Sequence, residues 1–146
     1  MKAIFLDIDG VVCLHSAKTP NDEEIFDADS CRRLKEIIDA TDCKLVLTSS
    51  WRLYSESIRS MFFQFKKYGI YKEYFLGKTP LCDERGDEIM AYLKSHPQII
   101  AYVALDDQPF YCSKFPNDRL ILTHVETGIT EEVKQLCIEK LSVVNS

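Results

Sequence analysis

Apolar residues along this chain fall into short unbroken runs separated by longer stretches in which they recur every three or four positions. FLDIDGVV (residues 5–12), KLVLT (44–48) and QIIAYVALDD (98–107) are runs of the first kind. Their length and polar boundaries predict strands buried on both faces. IYKEYF and DRLILTHV add two shorter extended segments. Helical spacing marks SCRRLKEIIDA, where Leu34, Ile37 and Ile38 repeat behind Asp29 or Ser30 as N-cap. It returns from Tyr54 to Lys67, stopping near Gly69, and in RGDEIMAYLKSH (85–96), which Pro97 closes. A last helix, TEEVKQLCIEKL, starts at Thr130 as cap with Glu132 or Val133 near the capping-box position. CLHSAKTPNDEEIFDADS, with Pro20 and Asn21, reads as a loop. Strands alternating with helices predict an α/β fold, a parallel sheet covered on both faces.

Two carboxylates interrupt the first run. Asp7 and Asp9 lie two positions apart, so on an extended strand both project to one face with Ile8 behind them. Like charges side by side are unfavourable unless a cation sits between them or they share a proton. Taken alone, the pair is also explained by a polar turn closing the strand at Gly10. The other runs change that balance, because ligands of a parallel sheet bind beyond the carboxyl ends of its strands. Asp7 and Asp9 follow the first run, Thr48, Ser49 and Ser50 the second, Asp106 and Asp107 the third. Four carboxylates and a hydroxyl cluster on one rim are what a divalent cation and a phosphate group require.

Composition narrows the setting. The 146 residues, 46% hydrophobic, are enough for one core, and a single domain is expected over residues 1–146. A net charge of −5 gives no global attraction to a polyanion. FFQFKKYGIYKEYF (62–75) interleaves aromatics with lysines as single-strand binders do. The helical spacing of Phe62, Phe63 and Phe65, and the run Ile70, Tyr71, Tyr74 and Phe75, account for it better as core or strand flanked by solvated lysines. Six cysteines without a C-x-x-C pair read as reduced, mostly buried hydrophobes. His15, His96 and His124 show no metal spacing, although His15 lies in the loop flanking the rim. No apolar run approaches bilayer-spanning length and no signal-like layout precedes the first strand, so a soluble, cytoplasmic protein with no membrane partner is expected.

Mg²⁺ takes oxygen ligands, usually one or two carboxylates with water and substrate phosphate, and Asp7 with Asp106 is the natural pair, Asp107 helping or orienting. One carboxylate of the first pair can attack phosphorus to form an acyl phosphate. The other can protonate the leaving oxygen and then activate water. Thr48, with Ser49, can hold phosphate oxygens through hydroxyl and backbone N–H groups. Arg85 or Lys78 would offset the charge on the transferring group. Arg52, beside the serine-rich turn, either contacts substrate or forms a local ion pair. Trp51 is either core or a stacking platform.

D-I-D-G-V at 7–11, LVLTSS at 45–50, a basic residue at 78 or 85 and LDD at 105–107 resemble the four ordered motifs of the haloacid dehalogenase-like hydrolases. The resemblance implies a Rossmann-like three-layer α/β/α core and Mg²⁺ as cofactor. It makes Asp7 the nucleophile and Asp9 the general acid/base with its backbone carbonyl on the metal. Thr48 would bind phosphate, while Asp106 and Asp107 complete the metal site. An aspartate at position 9 is the phosphatase pattern, not the dehalogenase one. SSWR (49–52), RGDEI (85–89) and ETGIT (126–130) are further similar to a small branch, the phosphatase-like domains associated with RNA-repair proteins, and RGDEI favours Arg85 over Lys78.

Residues 12–29 are too few for a cap domain, and residues 51–77 hold one helix and a short extended piece, so a minimal cap or none is expected. An open site suits a macromolecular phosphate ester, a nucleic-acid end or a phosphoprotein. A small-molecule or nucleotide phosphatase is the alternative enzyme, and a non-catalytic binding protein of the same fold the alternative without chemistry. A receiver domain would carry its adjacent acids after the first strand, where this chain has Asp-x-Asp. Glycosyltransferases that use Asp-x-Asp have no need of the serine-rich turn.

Overall fold

The computed structural model describes residues 1–14, 25–110 and 115–143. Most of the polar loop after the first run, His15, Pro20 and Asn21 among it, and Cys112 lie outside the described residues. Strands β1 (Lys2–Leu6), β2 (Lys44–Leu47), β3 (Phe75–Lys78), β4 (Ala101–Asp106) and β5 (Leu120–Leu122) form one sheet in the order β3-β2-β1-β4-β5. Every pairing is parallel. Helices α1 (Ala28–Thr41), α2 (Ser55–Lys66), α3 (Arg85–Ser95) and α4 (Glu131–Leu141) connect and cover them. The chain builds outward from β1 to β2 and β3, then returns to the other side of β1 for β4 and β5. The switch in direction therefore lies between β1 and β4, the place where such sheets hold their ligands.

Side-chain alternation on the central strands divides the core. Ile4 and Leu6 of β1, with Leu45, Leu47, Val103 and Leu105, face one side and pack with Leu34 and Ile37 of α1, Met61 and Phe65 of α2, and Leu141 of α4. Ala3 and Phe5, with Val46 and Ala104, face the other and meet Ile89 and Tyr92 of α3. These two layers of helices on one sheet are the three-layer α/β/α core. No cap domain is present among the described residues, and none of the helices is long and apolar enough to cross a membrane.

Element boundaries depart from the sequence pattern where side-chain or turn chemistry intervenes. The first strand stops at Leu6, because the Ile8 carbonyl accepts the amides of Val11, Val12 and Cys13 and closes a tight turn. The N-cap of α1 is Asp27, its Oδ2 accepting from Ser30 N at 2.9 Å and Ser30 Oγ at 2.8 Å, ahead of the expected Asp29 or Ser30. IYKEYF divides into a 3-10 turn (Lys72–Tyr74) and β3, and DRLILTHV contributes only Leu120–Leu122 to the sheet. Thr130 caps α4, its Oγ1 accepting from Val133 N at 3.2 Å. Of the phenylalanines at 62–65, Phe65 is fully buried and Phe62 packs against the core, but Phe63 is 64% exposed.

Candidate active site

The carboxyl end of β1 delivers Asp7 into the centre of the rim. Its amide still bonds the Leu105 carbonyl at 3.0 Å, continuing the β1–β4 ladder past the last regular residue of β1. Asp7 follows the alternation of Ala3 and Phe5, towards the face where α3 lies, and is 7% exposed. Asp106 ends β4 and is 4% exposed. Its Oδ1 accepts from Gln108 N at 3.0 Å, which fixes the carboxylate. Asp107 follows, leaning over Gly10. A Cβ at residue 10 would lie 2.4 Å from Asp107 Oδ2, and φ there is +79°, so glycine is required both for the turn and for the room.

Arg85, the first residue of α3, joins these groups. Its Nη1 lies 2.6 Å from Asp106 Oδ2, 3.6 Å from Asp7 Oδ1 and 3.4 Å from Thr48 Oγ1. Lys78, the other basic candidate, ends the edge strand β3 and donates to the Arg52 carbonyl at 3.3 Å. The geometry thus brings Arg85, not Lys78, to the acidic cluster. Thr48 is 1% exposed, and its amide bonds the Leu6 carbonyl at 2.9 Å, tying the turn after β2 to β1.

Ser49 and Arg52 are brought to the same turn but face inward. Ser49 Oγ accepts from Trp51 N at 3.2 Å and opens the 3-10 turn Ser50–Leu53. Arg52 is 4% exposed. Its guanidinium donates to the carbonyls of Thr48, Ser49 and Thr79 and to Glu88 Oε2. Of the two roles open to Arg52 in the sequence, substrate contact or local ion pair, the geometry is that of the ion pair. ETGIT is likewise structural: Ile129 is buried, its amide donates to Ser30 Oγ, and its carbonyl accepts from Arg33.

Two contacts were not anticipated. Glu88 closes the Arg52 network, and the only hint of it in the sequence is a carboxylate one helical turn after Arg85. Trp51 is half-buried against Phe26, ring centroids 5.6 Å apart, and its indole N–H points at Asp9 Oδ1 and Oδ2, 3.2 and 3.3 Å away. Asp9 is the exposed member of the first pair.

Burial and crowding set the protonation of these acids. Desolvation chiefly, with the charge of Asp106 adding to it and Arg85 opposing it, pushes the Asp7 carboxyl up to about 8. Desolvation also raises Asp106, against the pull of Arg85. Asp9 is raised by the same cause, and the Trp51 N–H opposes the rise.

Asp7, Asp106 and Asp107 each offer an oxygen within 4.8 Å of the others. An all-carboxylate donor set, with its charges crowded and partly desolvated, fits a hard divalent cation such as Mg²⁺. The Asp9 side chain stands apart from this trio, so any part it takes in holding a cation falls to its main-chain carbonyl.

Paired aspartates at the β1 and β4 exits, a threonine after β2 and an arginine opening α3, on an all-parallel three-layer sheet without a cap among the described residues, define a domain of the haloacid dehalogenase-like class. Residues 3–133 match the HAD domain in Swiss Army Knife RNA repair proteins, and the chain belongs to that family. No curated protein and no solved structure matches it significantly.

Proposed function

We propose that this protein is a magnesium-dependent phosphatase acting on a phosphate monoester at the end of a nucleic acid. The observation that carries the reading is Arg85 Nη1, within 3.6 Å of Asp7, Asp106 and Thr48 at once. A phosphoryl group between Asp7 and Thr48 would have a nucleophile on one side, with a hydroxyl and a guanidinium for its oxygens.

In the first half-reaction an Asp7 carboxylate oxygen attacks phosphorus, the bond to the leaving oxygen breaks, and Asp9 gives that oxygen its proton. Asp9, now a carboxylate, takes a proton from water. That water attacks phosphorus, the bond to Asp7 breaks, and inorganic phosphate leaves. Burial raises the proton affinity of Asp9, the direction a proton donor needs, and a bound cation would hold Asp7 as the carboxylate against the rise that burial causes. The Trp51 N–H holds its carboxylate in place through both steps. Mg²⁺, held by Asp7, Asp106 and Asp107, would neutralise charge on the phosphoryl oxygens.

Two points support the substrate. The family is described by its occurrence in RNA repair proteins. The described residues include no cap domain, which leaves room for a macromolecular end.

The test is phosphate release from 3′- and 5′-phosphorylated oligonucleotides, nucleotides, phosphopeptides and para-nitrophenyl phosphate, with Mg²⁺ or EDTA. Metal-dependent release that prefers oligonucleotide ends supports the reading. Release independent of metal, or equal in wild type and Asp7→Asn, overturns it.

A further inference from the structure

Beside Asp9 lies a groove that the phosphoryl chemistry does not use. It has a volume of about 650 Å³ and runs from the 3-10 turn after β2 along α2, with Trp51, Tyr54 and Phe63 among its walls. Tyr54 and Phe63 are each 64% exposed, an unusual outlay of aromatic surface to water. The remaining wall is hydrogen-bonding: Ser50, Glu56, Ser57, Ser60 and Gln64. Among the described residues, the charged side chain lining it is Glu56, and Lys67 Nζ lies over the Phe63 ring, 4.9 Å from its centroid. A groove walled by a carboxylate is a poor seat for phosphate. The phosphate's place is next door, at Arg85 and Thr48. The two regions meet at Trp51, whose ring lines the groove while its N–H holds Asp9.

The groove thus asks for a flat, uncharged occupant with π faces for the aromatics and N–H and acceptor groups for the carboxylate and hydroxyls. A nucleobase has all of these. The phenyl ring of a phosphotyrosine would stack but leave the hydroxyls and carboxylate unmatched, an unfavourable outcome for polar groups that lose water. We propose that this groove binds the base adjoining the scissile phosphate, stacked among Trp51, Tyr54 and Phe63, so that the preferred substrate is a single-stranded end whose last base is free to leave its helix. The proposal rests on the phosphatase reading for its link to catalysis, but base binding can be measured without turnover.

Trp51 is the chain's single tryptophan, so its fluorescence reports on the groove directly. A short unphosphorylated oligoadenylate is titrated into the metal-free protein while Trp51 emission is followed. Saturable quenching is expected. Phe63→Ala and Tyr54→Ala, both at exposed positions that tolerate truncation, should weaken it about tenfold or more, the scale of one stacked base. Phe63→Tyr should retain it, and Ile100→Ser, an exposed apolar position just before β4 at the amino end of the sheet, should match wild type. The same Ala variants should lower, by a similar factor, the ratio of kcat/KM on a phosphorylated oligonucleotide to that on glycerol phosphate. Absence of saturable quenching overturns the proposal, as does tighter binding of a phosphotyrosyl peptide than of oligoadenylate. Quenching in a protein that hydrolyses no phosphate ester would sustain the base site and sink the phosphatase reading. Hydrolysis without quenching would do the reverse.

Discussion

Arg52 and Glu88 form an ion pair under the turn that follows β2, Nη2 to Oε2 at 2.5 Å, with both side chains at most 6% exposed. The other oxygen of Glu88 lies 3.5 Å from Arg85 Nε. One carboxylate therefore holds two guanidiniums: Arg52, which grips the carbonyls of Thr48 and Ser49 from below, and Arg85, which reaches Thr48 Oγ1 from the rim. Through this pair the turn after β2 and the start of α3 are set relative to each other before any ligand arrives. Glu88 Oε2 also accepts from Cys82 N at 3.1 Å, so the segment leading into α3 is anchored to the same point.

Removing one partner of such a pair leaves the other charge buried and uncompensated. Glu88→Ala should destabilise the protein by about 3–5 kcal/mol, measured by urea unfolding. Arg52→Ala should do nearly as much. The double variant, with neither charge left, should be less damaged than the two single effects added together. A Glu88→Ala protein within about 0.5 kcal/mol of wild type would show that the pair does not organise the fold.

On the proposed mechanism, the two aspartates that follow β1 should fail in different ways. Asp7→Asn replaces the attacking oxygen anion with an amide, so turnover should fall below detection and no phosphoryl adduct should form. Asp9→Asn keeps the nucleophile and removes the proton carrier, which lowers the rate by about 10²–10⁴-fold. In that variant the adduct on Asp7 should persist, because hydrolysis also needs the base, and intact mass after acid quench would reveal it. An adduct in Asp7→Asn would relocate the nucleophile.

The sheet and helices were legible because both patterns that encode them, unbroken apolar runs and three-to-four-residue spacing, depend on burial, and burial here is simple. The rim was legible for the same reason: Asp7, Thr48, Asp106 and Asp107 are polar residues placed where apolar runs end. Strand ends were less so, since Ile8, Val11 and Val12 are as apolar as a strand yet are folded into a turn by one carbonyl. The Arg52–Glu88 pair was hidden because its members are 36 residues apart in sequence and only the tertiary fold brings them together. The choice between Arg85 and Lys78 turned on the position of α3, and Trp51 looked like core because half of it is.

Protonation of the acidic cluster should be visible in stability. The Asp7 carboxyl, ordinarily at 3.8, is held up to about 8 in the fold, mainly by burial. The folded protein thus binds a proton that the unfolded chain has already released. Stability from this source is full below about 4, falls as pH rises towards about 8, and is level above that. In EDTA, the thermal midpoint should decline across this window. Mg²⁺ competes with the proton for the same oxygens, so it should raise the midpoint more at pH 8 than at pH 5. An EDTA curve that rises with pH through this window would contradict the raised carboxyl, and an equal Mg²⁺ effect at both pH values would place the cation elsewhere.

Gly10 tests whether the position of Asp107 matters to the cation. Alanine there faces two penalties: a left-handed φ of +79°, worth about 1–2 kcal/mol for a residue with a Cβ, and a Cβ 2.4 to 2.6 Å from the Oδ2, Cγ and Cβ atoms of Asp107. The backbone of Gly10 has little freedom to yield, because its carbonyl accepts from Thr123 Oγ1 at 2.7 Å and its amide donates to the Cys13 carbonyl at 2.9 Å. Asp107 must therefore swing away from Asp7 and Asp106. Gly10→Ala should lose stability and bind Mg²⁺ more weakly by isothermal titration. Adding Asp107→Ala relieves the collision but not the strain, so the double variant should recover part of the stability and none of the affinity. Wild-type Mg²⁺ affinity in Gly10→Ala would mean that two aspartates, Asp7 and Asp106, are enough to hold the ion.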